Sequence, residues 1–166
     1  KIIFDGDRYQ FAQNINGYLL DADNVFIESR KKTICLVPDM VFGSMPNDGG
    51  YLSDYSQEEK DEIVNKYPEA EIAFRRFVGA NEFINNKIRW CLWLPNVSPS
   101  IIRKITPIAN AVNAVKKMRE SSTREATKKL AETPTLFGEI RQPKSTYIII
   151  PAHSSEKRKY IPMGFL

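Results

Sequence analysis

The stretch from Glu82 to Leu94, EFINNKIRWCLWL, decides the fold, because it is the most strand-like run of the chain and carries a turn signal in its middle. Asn85-Asn86 tolerates positive φ, so the stretch is predicted to form a hairpin. Two sets of side chains alternate along its second arm, and each set contains one tryptophan: Ile88, Trp90, Leu92 and Leu94, and Arg89, Cys91 and Trp93. A strand with a tryptophan on each face is expected to be covered on both sides. It is either a central core strand or a strand from which Arg89 and the edge of a tryptophan line a binding groove.

Length and cysteine content bound the class of protein. A chain of 166 residues suits one domain that buries a core without disulfides. Cys35 and Cys91 lie outside any C-x-x-C pair, and a single histidine argues against a zinc site. These features predict a reduced, cytoplasmic protein. The chain has no basic-then-apolar leader and no apolar run of the ~20 residues that a membrane helix needs, so no membrane partner is expected.

The net charge of +4 hides an asymmetry between the two halves of the chain. Residues 1–86 contain 9 Lys/Arg and 15 Asp/Glu, a balance of −6, whereas residues 87–166 contain 15 and 5, a balance of +10. A basic half that also contains aromatic residues is typical of a surface that binds phosphates. A solvated helix face accounts equally for part of this charge.

Local signals mark the start of two helices in the first half. Ser56-Gln57-Glu58-Glu59 matches a capping box and predicts a helix from about Gln57 to Lys66. Pro68, at a first helical position, predicts a second helix that ends at Gly79.

Two more helix starts are predicted at Ser98-Pro99 and Thr106-Pro107, where a capping residue precedes a proline. From Pro107 onward an apolar stripe shares the helix with many cations, and a break is possible between Arg119 and Ala131. The stripe is predicted to be core, and the cations are either a solvated face or a phosphate-binding one. The stripe is Ile108, Val112, Val115 and Met118, and the cations are Lys116, Lys117, Arg119, Arg124, Lys128 and Lys129.

Beyond Thr133-Pro134, which stops the helix, the chain is strand-like. The segments LFGEIR (136–141), TYIII (146–150) and KYIPMGFL (159–166) are predicted strands, and a polar connection joins the last two. Because the sequence stops on an apolar segment, and because its opening contains no motif that starts a domain, we expect it to be a piece of a longer protein.

The catalytic motifs of common enzymes are missing. Neither G-x-G-x-x-G nor a P-loop occurs, and His153 without G-x-S-x-G argues against a catalytic triad. Pro38-Asp39 followed by Glu58-Glu59-Lys60 fits the loose P-D…E-x-K pattern of Mg²⁺-dependent restriction nucleases. In those enzymes E-x-K lies on a strand, whereas the capping box predicts a helix here. The nuclease hypothesis is therefore weak.

Six segments spread over almost the whole chain form a recognisable set: 14–19 (NINGYL), 43–50 (GSMPNDGG), 74–79 (FRRFVG), 84–86 with 89–94 (INN, RWCLWL), 133–143, and 154–156 with 160–165 (SSE, YIPMGF). Together they resemble the target recognition region of MmeI-type bacterial DNA methyltransferases, which belong to restriction-modification systems.

The resemblance implies an organisation of the parent protein. In that family one polypeptide carries an S-adenosylmethionine-dependent adenine-N6 methyltransferase core, in some members a nuclease part that requires Mg²⁺, and then a recognition domain. Residues 1–50 are expected to be the connecting segment after the core, and residues 51–166 the larger, N-terminal part of the recognition domain. The family's glycine-rich cofactor loop and N-P-P-Y/F motif are absent from these residues. This fragment is therefore expected to bind no cofactor, to have no catalytic or metal-binding residue, and to be no enzyme by itself.

The resemblance also implies the task and the fold. We expect an α+β domain of twisted antiparallel strands packed with helices, whose partners are double-stranded DNA and the methyltransferase core of the same polypeptide. The first candidate reading loop is the connection His153, Ser154, Ser155, Glu156, Lys157 and Arg158, and the second is Arg141, Gln142 and Lys144.

The chemistry of the first loop suits base reading. Glu156 suits a cytosine amino group and Arg158 suits guanine, while Lys157 and Lys159 suit phosphates. A plain surface ion pair between Glu156 and Arg158 is the alternative. For the whole chain, the rival hypothesis is a protein–protein docking or dimerisation module that uses Arg75-Arg76 and the basic helix.

Overall fold

A computed structural model describes residues 1–26, 28–30 and 32–166 and divides the chain into two compact units, Lys1–Val41 and Phe42–Leu166. The first unit contains an antiparallel hairpin of β1 (Ile2–Asp5) and β2 (Arg8–Phe11). The reversal between the strands contains Gly6 at φ 61°, a conformation that suits glycine. Beyond the hairpin, the carboxylate of Asp21 accepts hydrogen bonds from the backbone N–H groups of Gln13 and Asn14, each at 3.0 Å.

The second unit contains five α-helices and two small antiparallel sheets among its described elements, so the α+β prediction is confirmed. Its helices are α1 (Gln57–Lys66), α2 (Ala80–Asn85), α3 (Pro99–Lys104), α4 (Thr106–Glu120) and α5 (Glu125–Lys129), with 3-10 turns at Pro68–Ala73 and Leu130–Glu132. Its strands are β3 (Phe74–Arg76), β4 (Trp90–Leu92), β5 (Ile148–Ile149) and β6 (Gly164–Phe165). None of the described helices is long and apolar enough to cross a bilayer.

The predicted hairpin around Asn85-Asn86 is wrong, because its first arm is helix α2. The carboxylate of Glu82 accepts from the N–H of Gly79 at 2.9 Å and so satisfies an orphan donor at the helix start. Asn86 ends the helix in the left-handed conformation, at φ 50°, so the positive φ was predicted correctly but serves a helix end. β4 forms as predicted, with Cys91 and Leu92 buried, but its partner is β3 and not the segment before Asn85.

The capping predictions are confirmed for α1, where Ser56 and Glu59 exchange the two hydrogen bonds of a capping box. The starts near Pro99 and Pro107 and the break after Glu120 are also confirmed, and Ser98 caps α3 as predicted. Thr106 is not a capping residue, because α4 begins at Thr106 itself and follows Ile105, whose side chain cannot accept a hydrogen bond. The helix predicted from Pro68 to Gly79 is wrong beyond Ala73. There the chain extends as β3, because pairing with β4 satisfies its backbone groups across the core.

The core lies between the β3–β4 ribbon and helices α3 and α4. Apolar side chains from these elements and from the segment before α1 become fully buried, and partly buried aromatic residues surround them. The largest fully buried members are Leu52, Leu92, Ile105, Ile108 and Val115. Ile108 and Val115 belong to the apolar stripe of α4, so the prediction that this stripe is core is confirmed.

Arg119 is the largest fully buried side chain of the unit. Its guanidinium donates to five backbone carbonyls at 2.8 to 3.1 Å, and these carbonyls come from two loops that are far apart in sequence. The acceptors are the carbonyls of Pro46, Asn47, Leu130, Thr133 and Leu136. From the sequence, Arg119 is predicted to be one of the surface cations of α4, and this prediction is wrong. Arg119 lies one turn after Val115 on the same, buried face of the helix.

Burial has an electrostatic cost at this position. Loss of hydration lowers the pKa of the Arg119 guanidinium below its ordinary value, and the nearby Asp48 carboxylate opposes that effect. Asp48 is itself buried and organises the loop before α1, where it accepts from the N–H groups of Gly50 and Leu52 and from the Ser53 hydroxyl. Dipoles of carbonyls, rather than a salt bridge, satisfy the buried cation.

We expect Arg119→Lys to lower the free energy of unfolding by about 3 kcal/mol or more, because an ammonium cannot reach five carbonyls placed around a planar guanidinium. Urea denaturation of the 166-residue chain measures the loss. Arg103→Lys, at an exposed position of α3, is the matched control and should change the stability by less than about 0.5 kcal/mol. Equal midpoints for the two variants would contradict the structural role assigned to Arg119.

Candidate nucleic-acid interface

The first candidate loop lies at the end of a short hairpin. β5 and β6 pair antiparallel with Ile148 opposite Phe165 and Ile149 opposite Gly164. One further pair of backbone hydrogen bonds, at 2.9 and 3.0 Å, joins Tyr147 to Leu166. Residues 150–163 therefore connect the two strands. The strands predicted at 146–150 and 159–166 are correct only near their paired residues, and residues 159–163 belong to the connection instead.

The tip of this connection is a tight reverse turn. The N–H of Arg158 donates to the carbonyl of Ser155 at 3.0 Å, and the N–H of Lys157 donates to the Ser155 hydroxyl at 3.2 Å. Glu156 and Lys157 therefore occupy the two corners of the turn. All six residues from His153 to Arg158 are exposed, so their polar groups face solvent.

The charges at this turn are not paired with one another. In the part of the chain that the structure describes, neither Glu156 nor Arg158 has an oppositely charged group within 4.0 Å. The Lys159 ammonium lies 5.7 Å from the centroid of the Tyr160 ring. The hypothesis of a surface ion pair between Glu156 and Arg158 is therefore not what the structure contains.

The second candidate tip is more firmly fixed. The guanidinium of Arg141 forms an ion pair with Glu139, and its backbone N–H donates to the Ser44 hydroxyl at 2.9 Å. The segment LFGEIR contributes only an isolated bridge between Glu139 and Met45, so the strand predicted there is wrong. Hydrogen bonds to the 45–47 loop, which Arg119 holds, take the place of a sheet.

The structure does not bring the two candidate tips together. The Gln142 amide lies 3.5 Å from the Tyr147 hydroxyl, at the open end of the β5–β6 hairpin, whereas the 153–158 loop closes the opposite end. Lys144, which belongs to the second tip, is exposed. The two tips are thus two separate polar surfaces, one at each end of the β5–β6 hairpin.

A close approach at Gly164 attaches this hairpin to the body of the unit. A Cβ atom at Gly164 would lie 3.1 Å from Cε2 and Cζ of Phe83 on α2. Helix α2 is fixed in turn by Glu82, whose carboxylate lies 3.0 Å from Nη2 of Arg89, while the Arg89 guanidinium lies 4.4 Å from the Phe77 ring centroid. Sequence reasoning missed this contact, although a glycine inside an apolar strand segment is a signal for close approach.

Arg89 lines a shallow groove of about 340 Å³ together with Lys87 and Glu59, but Trp90 does not line that groove. The Trp90 indole N–H donates to Gln57 at 2.9 Å, and the Lys60 ammonium lies 4.5 Å from the centroid of the Trp90 ring system. These contacts support the core interpretation of Trp90 and leave Arg89 in a structural ion pair.

Several of the remaining cations have local hydrogen-bonding or acidic partners. Arg75 donates back to the carbonyls of Ile72 and Phe74, at 3.2 and 2.7 Å. Lys116 and Lys128 have acidic neighbours on their own helices.

The lysine of the nuclease pattern has a structural role. Lys60 is buried against both carboxylate oxygens of Glu71, at 3.0 and 2.9 Å, and residues 58–60 lie in the first turn of α1. Within the described ranges, no group of three or more His, Cys, Asp or Glu residues is placed to hold a metal ion.

Burial also sets the chemistry of two side chains in the body. It raises the pKa of Tyr55 to about 12, with help from the carboxylates of Glu59 and Asp48. It raises the pKa of the Cys91 thiol to about 11. Neither group is prepared for proton transfer or nucleophilic attack near neutral pH.

The arrangement as a whole defines a class. An α+β body carries a short hairpin, and an exposed turn at the hairpin end presents hydroxyl, carboxylate and cationic groups to solvent, which are the groups of a polar binding surface.

Comparison with known proteins specifies the class. A family profile described as "MmeI, target recognition domain" matches residues 21–166. DNA methyltransferase A of Bacillus subtilis (strain 168) is 40% identical over 164 residues, which are 99% of this chain and 18% of that protein. A solved structure of the type IIL restriction-modification enzyme MmeI in complex with DNA is similar over 100% of this chain and 23% of the MmeI chain, with a TM-score of 0.81 and 38% identity. The chain belongs to the MmeI target recognition domain family, and it spans about a fifth of the length of these relatives.

We expect Gly164→Val to lower the free energy of unfolding by about 1–3 kcal/mol, because the added side chain overlaps the Phe83 ring. Thermal unfolding measures the loss. Gly43→Val is the matched control, since nothing lies within 4 Å of a Cβ built at that glycine. In a double-mutant cycle, Phe83→Ala should relieve much of the cost of Gly164→Val. Additive effects would contradict the contact.

Proposed function

We propose that this chain is the DNA target recognition part of an S-adenosylmethionine-dependent adenine DNA methyltransferase of a bacterial restriction-modification system. It would hold the duplex and read bases so that a core elsewhere in the same polypeptide flips the correct adenine. Family membership supports the class of function, and the exposed turn at the end of the β5–β6 hairpin is the observation that carries the reading role.

The proposal assigns the rest of the parent by the same family argument. Residues 1–50 connect the methyltransferase core to the recognition domain, and residues 51–166 are the larger part of that domain. S-adenosylmethionine binds the core and not this fragment, and Mg²⁺ is required only if the parent also contains a nuclease part. The fragment alone has no catalytic activity, and the parent works in the cytoplasm.

The composition of the turn favours reading over simple holding. A loop that only contacts phosphates gains from cations and loses from a carboxylate, because like charges repel. Glu156 nevertheless occupies a corner of a turn that also carries Lys157 and Arg158, and no described cation neutralises it. A carboxylate can accept a hydrogen bond from the amino group of cytosine, and an arginine can donate two to guanine O6 and N7.

The remaining candidates have supporting roles. His153, Ser154 and Ser155 offer further hydrogen-bonding groups beside the turn, and Lys157 and Lys159 suit phosphates. At the second tip, the Gln142 amide suits an adenine edge and Lys144 suits a phosphate, while the ion pair with Glu139 positions Arg141.

A salt titration tests DNA binding by the 166-residue chain. We expect non-specific binding to duplex DNA at roughly 10⁻⁴–10⁻⁶ M at physiological salt, with a log–log salt slope of about −0.9 for each phosphate that is neutralised. Lys157→Ala should reduce the slope by about one unit. Lys66→Ala, at an exposed position of α1, should leave the slope unchanged. No binding even at low salt would favour the rival protein–protein module.

A second experiment separates reading from holding within the loop of the full-length parent. Glu156→Ala or Arg158→Ala should cost about 1–3 kcal/mol on the cognate site and far less on unrelated DNA, and each should relax the methylated motif at one position. Lys157→Ala should weaken binding to every sequence about equally. Methylome sequencing of cells that express each variant detects the change. If the motif is unchanged for both Glu156→Ala and Arg158→Ala, the loop does not read sequence.

A further inference from the structure

One face of the β1–β2 hairpin is entirely apolar. The register places Ile2 opposite Phe11 and Phe4 opposite Tyr9, and alternation along each strand puts these four side chains on the same face. The three aromatic rings form a continuous row, in which the centroids of Phe4 and Tyr9 are 6.3 Å apart and those of Tyr9 and Phe11 are 5.9 Å apart in an edge-to-face arrangement. We call these four residues the aromatic face.

The aromatic face is open to solvent. Phe4, Tyr9 and Phe11 are 71%, 64% and 77% exposed, although the opposite face of the same hairpin offers the polar residues Asp5, Arg8 and Gln10. At roughly 150–250 Å² for each fully buried aromatic residue, the patch amounts to about 400 Å², within the range of patches that mark interaction sites. A two-stranded hairpin is marginal by itself and gains stability when an apolar face is covered.

We propose that the aromatic face is the docking surface for the methyltransferase core of the same polypeptide. This inference rests on the proposed function, since it takes the chain to be part of such a methyltransferase. Most of the length of both relatives lies outside the matched region, which is 18% of one and 23% of the other. The aromatic face also lies outside residues 21–166, which match the recognition-domain profile, and another domain of the same polypeptide would meet it at the high effective concentration of a tethered partner.

The chemistry of the face argues against two other occupants. DNA is excluded because the face offers no cation to a phosphate, and because the charges of Asp5 and Arg8, which are opposite each other in the hairpin, cancel on the other side. A second copy of the chain is disfavoured because two such faces together bury about 800 Å², less than the 1,200 Å² or so of a stable specific interface. A tethered domain needs no such area.

Hydroxyl-radical footprinting without DNA tests the surface. The side chains of Phe4, Tyr9 and Phe11 should be oxidised readily in the 166-residue chain and be protected several-fold in the full-length parent. In the parent, Phe4→Ser with Phe11→Ser should abolish the protection of Tyr9 without changing the oxidation pattern of residues 42–166. Arg8→Ser with Gln10→Ser, on the opposite face, is the matched control and should leave the protection intact.

Two results would overturn the inference. Equal oxidation in the parent and in the 166-residue chain means that the core does not cover this face. Protection already present in the 166-residue chain means that the chain covers it itself or dimerises, which sedimentation distinguishes. Because the experiment contains no DNA, a failure of DNA binding would remove the proposed function of the loop and leave this result standing, and the reverse holds as well.

Discussion

A single buried guanidinium organises the second unit. Arg119 reaches from α4 into the space between two loops and donates to five carbonyls, three from residues 130–136 and two from residues 46–47. The carbonyls of these loops would be costly to bury without donors. A planar group with five N–H donors satisfies them together, which a lysine cannot do. The carbonyls in turn satisfy the guanidinium, so that it needs no buried carboxylate as an ion-pair partner.

This arrangement extends from the body to the candidate interface. The carbonyl of Pro46 that accepts from Arg119 also accepts from the N–H of Gly138, and Met45 and Glu139 exchange both backbone hydrogen bonds. The second tip, at Arg141, therefore directly follows residues that hydrogen-bond to the 45–47 loop, which Arg119 also contacts. The first tip depends on a different attachment, the Phe83 ring against Gly164, and makes few internal hydrogen bonds. Because this turn has few bonds to the core, substitutions in it should have little effect on folding. Such tolerance is useful in a binding surface whose side chains determine which ligand is recognised.

Structural features that depend only on neighbouring residues could be predicted from the sequence. The capping box at Ser56, the prolines at helix starts and the apolar stripe of α4 need only near neighbours, and the structure confirms them. Which strands pair with each other does not depend on neighbouring residues alone. β4 was recognisable as a covered strand, but its pairing with β3 across helix α2 depends on the whole core, and the same pairing ends the helix predicted from Pro68. The start of α2 could have been predicted from Glu82, which lies three residues after Gly79. The turn signal of the two asparagines favoured a hairpin at this place instead.

For the candidate site, the flanking apolar segments predict where the loop lies, since polar residues between two strands must form their connection. The burial of Arg119 could not be predicted, because a cation in a helix full of cations gives no sign that carbonyls surround it. The separation of the two tips likewise follows from the pairing of β5 with β6, which a single sequence does not determine.

The central claim is that the turn at Glu156 meets base edges inside the recognised site. Its most direct test is a photo-crosslinking side chain placed at position 156 of the full-length parent, bound to a duplex that contains the methylated motif. The account predicts a crosslink to a base within the motif, which disappears on DNA without the motif. A crosslink outside the motif, or equal crosslinking to both duplexes, would contradict it.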